Sequence, residues 1–464
     1  MNSLTITLLV FAVYWVLVEA LNKKGILGQH GVTAYGPIIM IRTQLGQGIL
    51  SSASRAKRFW RAFANAGVPL MLASMVSMFL LFLFNTFFLL MQYIRFEELP
   101  PAELADPRNM LILPGVNPML PLSWGVWILI GMVVTIIVHE FAHGILCKVE
   151  GIRVKSMGVI LALIPIGAFA EPDESQLFGV KGKKGEGDTN EESEKIATRG
   201  ERIRILAAGV MSNFVVAFIA YMLFFGLLTT SIAPIIDGVP IMNVEDEYPA
   251  ELVGVEEGMV ITAIDGTEVR TLQDFVDSLR GVEPGQIVRL EVNSKETFDI
   301  ELAPSPHNSS RGIMGVSSGP GTGEFLTFLQ ETPSKLTSIE GLLVITGLPI
   351  IYGFGGFDST YLEFYEPIGI AAGMGNLIFW IVNSLLWIAF INLAAAIFNS
   401  LPAVPLDGGH VFRELLNSLV GHFVKDDEKR ERISNVMTNS LALAILFFIL
   451  FPFLLRFVTT AFAI

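Results

Sequence analysis

The segment His139-Glu140-Phe141-Ala142-His143 sets two imidazoles four residues apart, with a carboxylate beside the first. On a helix, residues i and i+4 share a face, so both rings can reach one metal ion. Glu140 then stands where a general base takes a proton from a water that zinc acidifies. The segment ends an uncharged run, LSWGVWILIGMVVTIIV, that begins at Leu122. Ionisable side chains are costly inside a membrane span and mark function there. The pattern also arises by accident, and paired histidines can serve packing or proton transfer; burial in a span favours the metal.

A catalytic zinc needs a third protein ligand and one open position. The segment FNSLPAVPLDGGH, residues 398–410, offers Asp407. Pro402 and Pro405 stop a regular helix, and the Gly408-Gly409 pair frees the chain after the aspartate. A break of this kind beside a membrane must line a cavity or be covered by protein. Asn399 lies nearby, with an amide able to donate to a developing oxyanion. A border turn with a helix-capping aspartate is the other reading of Asp407; beside the HEFAH segment, the ligand reading takes precedence. Cys147 shares the helix face of both histidines, but three ligands along one helix would stretch over about 12 Å. It is read as a packing residue. His410 could coordinate or face the cytoplasm, and is not assigned.

The elements that must position these residues are membrane helices. Of 464 residues, 52% are hydrophobic and 16% charged, where a soluble domain has about 25% charged. Apolar runs near 4–21, 68–94, 123–147, 203–229, 375–400 and 437–460 predict six crossings. Between the first two lie seven basic residues, from Lys23 to Arg61, and no acidic one, which makes that loop cytoplasmic and the first span an N-out anchor. Residues 95–122, with Glu97, Glu98, Glu103 and Asp106, read as external. The stretch Ser54–Ala64 reads as an amphipathic surface helix, and 181–195 as a flexible cytoplasmic loop. The lone Cys147 excludes an internal disulfide.

The net charge of −13 is localised: Ile235–Ser305 holds sixteen acidic residues and four basic ones. The near-neutral remainder gives no sign of nucleic-acid binding. Within that segment, β-type runs at Val239–Val244, Met259–Ile264, Ile287–Val292 and Thr297–Leu302, with a helix at Leu272–Leu279, predict a small α/β module between spans. Residues 339–352 are apolar but short and broken by glycine and proline, so they read as interfacial or re-entrant. With that segment not crossing, the third and fifth spans both run inward, and Asp407 reaches the depth of HEFAH. The chain thus divides into 1–67 (anchor and basic amphipathic segment), 68–230 (first part of a core), 235–305 (the module) and 306–464 (second part).

HEFAH in one span and NSLPAVPLDGG in a later one together resemble the site-2 protease family of intramembrane zinc metalloproteases. The resemblance implies His139, His143 and Asp407 as zinc ligands, Glu140 as base and Asn399 as a polar transition-state aid. Residues 158–171, GVILALIPIGAFAE, look like the family's membrane-embedded β-hairpin. There a substrate would pair by strand addition along Gly167, Ala168, Phe169 and Ala170. Residues 207–217, AAGVMSNFVVA, resemble a family pattern with Gly209 and Asn213, but Val210 stands where the family usually has proline. Small-residue packing accounts for that stretch nearly as well. The acidic module resembles a PDZ domain, through VGVEEGMVITAIDGTEV. By analogy its groove for a peptide or C-terminus lies near Gly238, Val239, Pro240 and Ile241.

The expectation is a polytopic α-helical membrane protein with an inserted PDZ-like domain, cutting membrane-protein substrates by regulated intramembrane proteolysis. Its partners are the bilayer and those substrates, in a prokaryotic plasma membrane, with the site toward the cytoplasm and the module outside. A metal transporter would need more acidic or histidine residues along the spans. A scaffold built around the module leaves Glu140 and the ligand set unexplained.

Overall fold

The computed structural model describes residues 3–29, 31–43, 47–96, 99, 106–179 and 195–462. Nearly all of the loop expected at 181–195, and Glu97, Glu98 and Glu103 of the expected external loop, lie outside the described residues. The principal helices are, in chain order, α1 (Ser3–Lys23), α2 (Lys57–Phe96), α3 (Gly125–Val149), α4 (Arg199–Ser231), α5 (Leu272–Ser278), α6 (Thr322–Glu331), α7 (Ile339–Gly347), α8 (Leu377–Asn399), α9 (Asp407–Val420) and α10 (Asp427–Phe462). The principal strands are β1 (Val32–Tyr35), β2 (Ile38–Thr43), β3 (Val154–Ala162), β4 (Ile164–Pro172), β5 (Ile232–Pro234), β6 (Val239–Val244), β7 (Val260–Ile264), β8 (Ile287–Val292), β9 (Glu296–Glu301), β10 (Val316–Ser318) and β11 (Tyr365–Pro367).

Among the described residues five helices are long and apolar enough to cross a membrane: α2, α3, α4, α8 and α10. The expected first span is helical as α1 but is not one of these five. Helix α7 has nine residues, about 13 Å at 1.5 Å per residue, too short to span.

Residues Met1–Ile219 and Trp387–Ile464 form one unit. Small residues let its helix backbones meet, which supplies packing where lipid provides no hydrophobic drive. A Cβ added at Gly131 of α3 would lie 2.7 Å from the Trp387 carbonyl oxygen of α8. One added at Gly67 of α2 would lie 2.7 Å from Met211 Cβ of α4. Just past α3, the Glu150 carboxylate is fully buried, 2.8 Å from Arg61 Nη2 of α2 and 2.7 Å from Arg204 Nε of α4. Burial alone would raise its pKa. The hydrogen bonds and charges of the two guanidiniums outweigh that and hold it below the usual carboxylate range.

The hairpin expected at 158–171 is present as β3–β4, but it belongs to a four-stranded antiparallel sheet in the order β1-β2-β3-β4. This changes the reading of residues 22–67. The run VTAYGPIIMIRT makes its own hairpin, with Tyr35 opposite Ile38 across a two-residue turn in which Gly36 has φ +62°. Its β-branched and apolar residues favour a strand. Lys57–Ala64 is not a separate surface helix but the first turns of α2.

Residues Ala220–Leu386 form the second unit. Its main sheet has the order β9-β8-β7-β6-β10, and four of those strands fall on the expected runs. Thr271 caps α5 through a reciprocal box with Asp274, so the helix begins where the sequence places it. The core is the inward face of the alternating strands, including Val239, Ile241, Ile261, Leu290 and Ile300, all fully buried. The module runs past Ser305, because β10 supplies the last strand of the sheet. The expected peptide groove at Gly238–Ile241 falls at the start of β6. Strand β6 is flanked by β7 on one side and β10 on the other, and its Val239 and Ile241 side chains lie in the core. At this end of the sheet the outermost strand is β10.

Candidate metal centre

Helix α3 presents His139 and His143 one turn apart, their ring centroids 4.6 Å apart and their planes nearly perpendicular. The two Nε2 atoms approach to 3.0 Å. Asp407 opens α9, and its Oδ2 lies 3.1 Å from His139 Nε2 and 3.3 Å from His143 Nε2. Among the described residues, these three form the group able to hold a metal ion, each offering one ligand atom.

The outer nitrogens determine what the inner ones can do. His143 Nδ1 lies 2.7 Å from the Ile205 carbonyl oxygen. A carbonyl only accepts, so Nδ1 carries the proton and the Nε2 lone pair is free in the neutral ring. His139 Nδ1 lies 3.1 Å from Nδ2 of the fully buried Asn213, whose Oδ1 has no hydrogen-bond partner. If that amide donates, the proton on His139 sits at Nε2. If Oδ1 accepts instead, the proton sits at Nδ1 and Nε2 is free to bind metal. Asp407 Oδ2 is itself buried without a further hydrogen-bond donor. In that second tautomer two imidazole lone pairs and a carboxylate oxygen converge on one point with no positive charge between them, and a divalent cation meets that need. The donor set fits zinc.

Glycines make the approach possible. A Cβ on Gly209 of α4 would lie 2.5 Å from His143 Nε2 and 2.7 Å from His139 Cε1. The Gly pair after Asp407 also acts through proximity. Added Cβ atoms would lie 2.1 Å from the Ser400 carbonyl oxygen at Gly408 and 2.4 Å from the Ala403 carbonyl carbon at Gly409. The loop with Pro402 and Pro405 thus folds back onto the first turn of α9, and this close packing positions Asp407.

Glu140 adjoins the pair, and its Oε2 accepts the Ala170 N–H of β4 at 2.8 Å. The catalytic candidate is thereby tied to an end strand of the sheet. A cavity of about 400 Å³ is lined by the three ligand candidates together with Glu140, Gly167, Asn213 and Asn399. In β4, Gly167, Ala168, Phe169 and Ala170 pair with Ile160, Val159, Gly158 and Met157. The Phe169 ring lies over Gly158, where an added Cβ would meet it at 2.3 Å. Cys147 is buried in an apolar cluster with Leu50, Leu146 and Ala208 and is not part of the ligand group. His410 stands beside the Phe178 ring, with Arg413 Nη2 3.4 Å from its Nδ1.

Gly209 and Asn213 carried no assigned role in the sequence beyond a family-like pattern that small-residue packing explains nearly as well. Their four-residue spacing on one face of a span was the available signal. The contact from Ala170 to Glu140 had no sequence signal, because it is made by a backbone group.

The model of peptidase family M50 matches residues 127–447, more than half of the chain. An uncharacterized protein of Methanocaldococcus jannaschii, MJ0971, is 24% identical over 448 residues, covering 91% of this chain and 90% of that one. The zinc metalloprotease RasP of Oceanobacillus iheyensis is 28% identical over 232 residues, covering 46% of this chain and 50% of its own. Among solved structures, the PDZ domain of an SdrC-like protein of Listeria monocytogenes is 30% identical and covers 18% of this chain and 88% of that one, with a TM-score of 0.16. With the family match spanning both α3 and the Asp407 loop, the chain belongs to peptidase family M50 and is a zinc metalloprotease.

Proposed function

We propose that this chain hydrolyses peptide bonds within or beside the membrane spans of other proteins. The observation that carries the reading is the convergence of two imidazole nitrogens and the Asp407 carboxylate beside Glu140, in a cavity reached from an apolar span. His139, His143 and Asp407 hold the ion. When bound, zinc supplies Lewis acidity that polarises a carbonyl and acidifies water. Glu140 takes the proton from water and passes it to the leaving amine, which is the ordinary work of a general base and acid. The Ala170 N–H keeps that carboxylate turned toward the cavity. Asn399 donates to the negative charge that develops on the carbonyl oxygen.

Substrate binds as an added strand along β4, an end strand with Gly167 at the cavity wall. This requires the substrate helix to unwind there, and the hairpin to lie within the membrane. The N-out orientation, the sixth span and a prokaryotic plasma membrane complete the reading, with the acidic PDZ-like module outside, screening substrates. A peptide ligand of that module is assigned to the β10 side of the sheet, because the β6 edges are occupied.

The metal assignment is tested by zinc content. Asp407→Ala protein should purify without stoichiometric zinc, and Cys147→Ala protein should keep it. The reverse pattern would remove Asp407 from the ligand set.

A further inference from the structure

We propose that residues 336–357 form a re-entrant segment, entering the leaflet at the C-terminal end of α4 and leaving by the same side, with lipid acyl chains against its outer face. The depth follows from one hydrogen bond. The Tyr221 hydroxyl of α4 donates to the Ile345 carbonyl oxygen of α7 at 2.8 Å. Tyr221 precedes the end of α4 at Ser231 by ten residues, about 15 Å at 1.5 Å per residue. Helix α7 therefore lies well below the end of the span. The next two residues of α4, Met222 and Leu223, are 38% and 51% exposed, as expected of a surface facing lipid at that level.

The segment has the polarity such a position demands. At its entrance Lys335 pairs with Glu340 at 3.6 Å. Beyond them the inner face packs Val344 and Ile345, both buried. The outer face exposes Leu342 at 54% and Leu343 at 52%, with Ile351 at 70% after the helix. On the exposed face of α7 the Thr346 hydroxyl bonds back to the Leu342 carbonyl oxygen. A large apolar face of this kind is out of place in water.

Irregular backbone at membrane depth must have its polar groups satisfied by protein. Two spans provide this. Tyr221 takes the Ile345 carbonyl. On α8 the fully buried Asn383 holds both backbone groups of Phe357, accepting its N–H at 2.8 Å and donating to its carbonyl oxygen at 3.0 Å. Between these pins the turn after α7 closes on itself, with the N–H groups of Ile350, Ile351 and Tyr352 all directed at the Gly347 carbonyl oxygen. Tyr221 of one span and Asn383 of another thus serve one element that does not cross.

The test uses spin labels and no hydrolysis, so its outcome is separate from that of the protease reading. In a Cys147→Ala background, Leu342→Cys or Leu343→Cys is labelled and the full chain is reconstituted in phosphatidylcholine vesicles. Leu223→Cys on α4 and Ile287→Cys on the module serve as references. The labels on α7 should collide with dissolved oxygen and exclude a nickel chelate as the Leu223 site does, with an oxygen-to-nickel ratio several-fold above that at Ile287. Ready access of nickel would overturn the proposal, and exclusion of both reagents would replace lipid with a protein contact. Adding Tyr221→Phe should raise nickel access at Leu342, and no change would remove Tyr221 as the pin that sets the depth.

Discussion

Replacing Gly209 with alanine adds one methyl group at the point where α4 crosses the two histidines. That methyl would lie 2.5 Å from His143 Nε2 and 2.7 Å from His139 Cε1. It is roughly 0.9 Å inside an ordinary van der Waals separation of about 3.4 Å. Neither side can yield easily, because His143 is held through Nδ1 by the Ile205 carbonyl oxygen on the same helix α4. Moving α4 away carries that anchor with it, and turning the ring breaks it. Overpacking of this size costs about 1–3 kcal/mol. Charged against the bound geometry, that weakens zinc about 5- to 150-fold at about 1.4 kcal/mol per tenfold. The assay is competition with a chromophoric chelator in detergent, alongside cleavage of a tagged single-span substrate. Gly226→Ala on the same helix is the control, since nothing lies within 4 Å of the added Cβ. If Gly209→Ala protein bound zinc as tightly as wild type and Gly226→Ala protein, the packing argument for the site would be refuted.

The Asn213→Ala change removes the group that orients His139, and loss of such a partner should weaken zinc about 10- to 100-fold while leaving helix content unchanged by circular dichroism. Glu150→Gln leaves Arg61 and Arg204 facing a neutral amide, and thermal unfolding at neutral pH should show a loss of roughly 3 kcal/mol. Because the Glu150 pKa is lowered in the folded protein, its stabilisation is present above the ordinary carboxylate range and is lost as pH falls through the lowered value. The gap between wild type and Glu150→Gln should therefore close in acid, and a gap that widened there would refute the sign. The thiol of Cys147, 1% exposed, should resist maleimide reagents until the protein unfolds, as read by mass shift against denaturant.

What the sequence disclosed depended on how local each signal was. The histidine pair and Glu140 were legible because four residues make one helical turn, and Asp407 because proline and glycine mark a break in a span. The strands at 239–244 and 287–292 were legible from alternation of apolar and polar residues. The strand order was not, because pairing of β6 with β10 joins residues more than seventy positions apart. The hairpin at 32–43 was hidden inside a basic stretch whose charge suggested a surface helix. For Gly209 and Asn213 a family pattern and small-residue packing accounted for the sequence nearly equally well, and it is the approach of α4 to the histidines that separates the two readings. The count of crossings differs at α1, where hydropathy gave six and length and composition among the described residues give five.

The central claim is that zinc held by His139, His143 and Asp407 works with Glu140 to cut membrane proteins. Glu140→Gln separates chemistry from metal binding, since Glu140 is the proposed base and lies outside the ligand group. The measurement is zinc content and cleavage of a co-expressed tagged single-span substrate, taken on the same preparation. Both proteins should carry stoichiometric zinc, with cleavage lost in Glu140→Gln and retained in wild type. Equal cleavage by the two zinc-loaded proteins would contradict it.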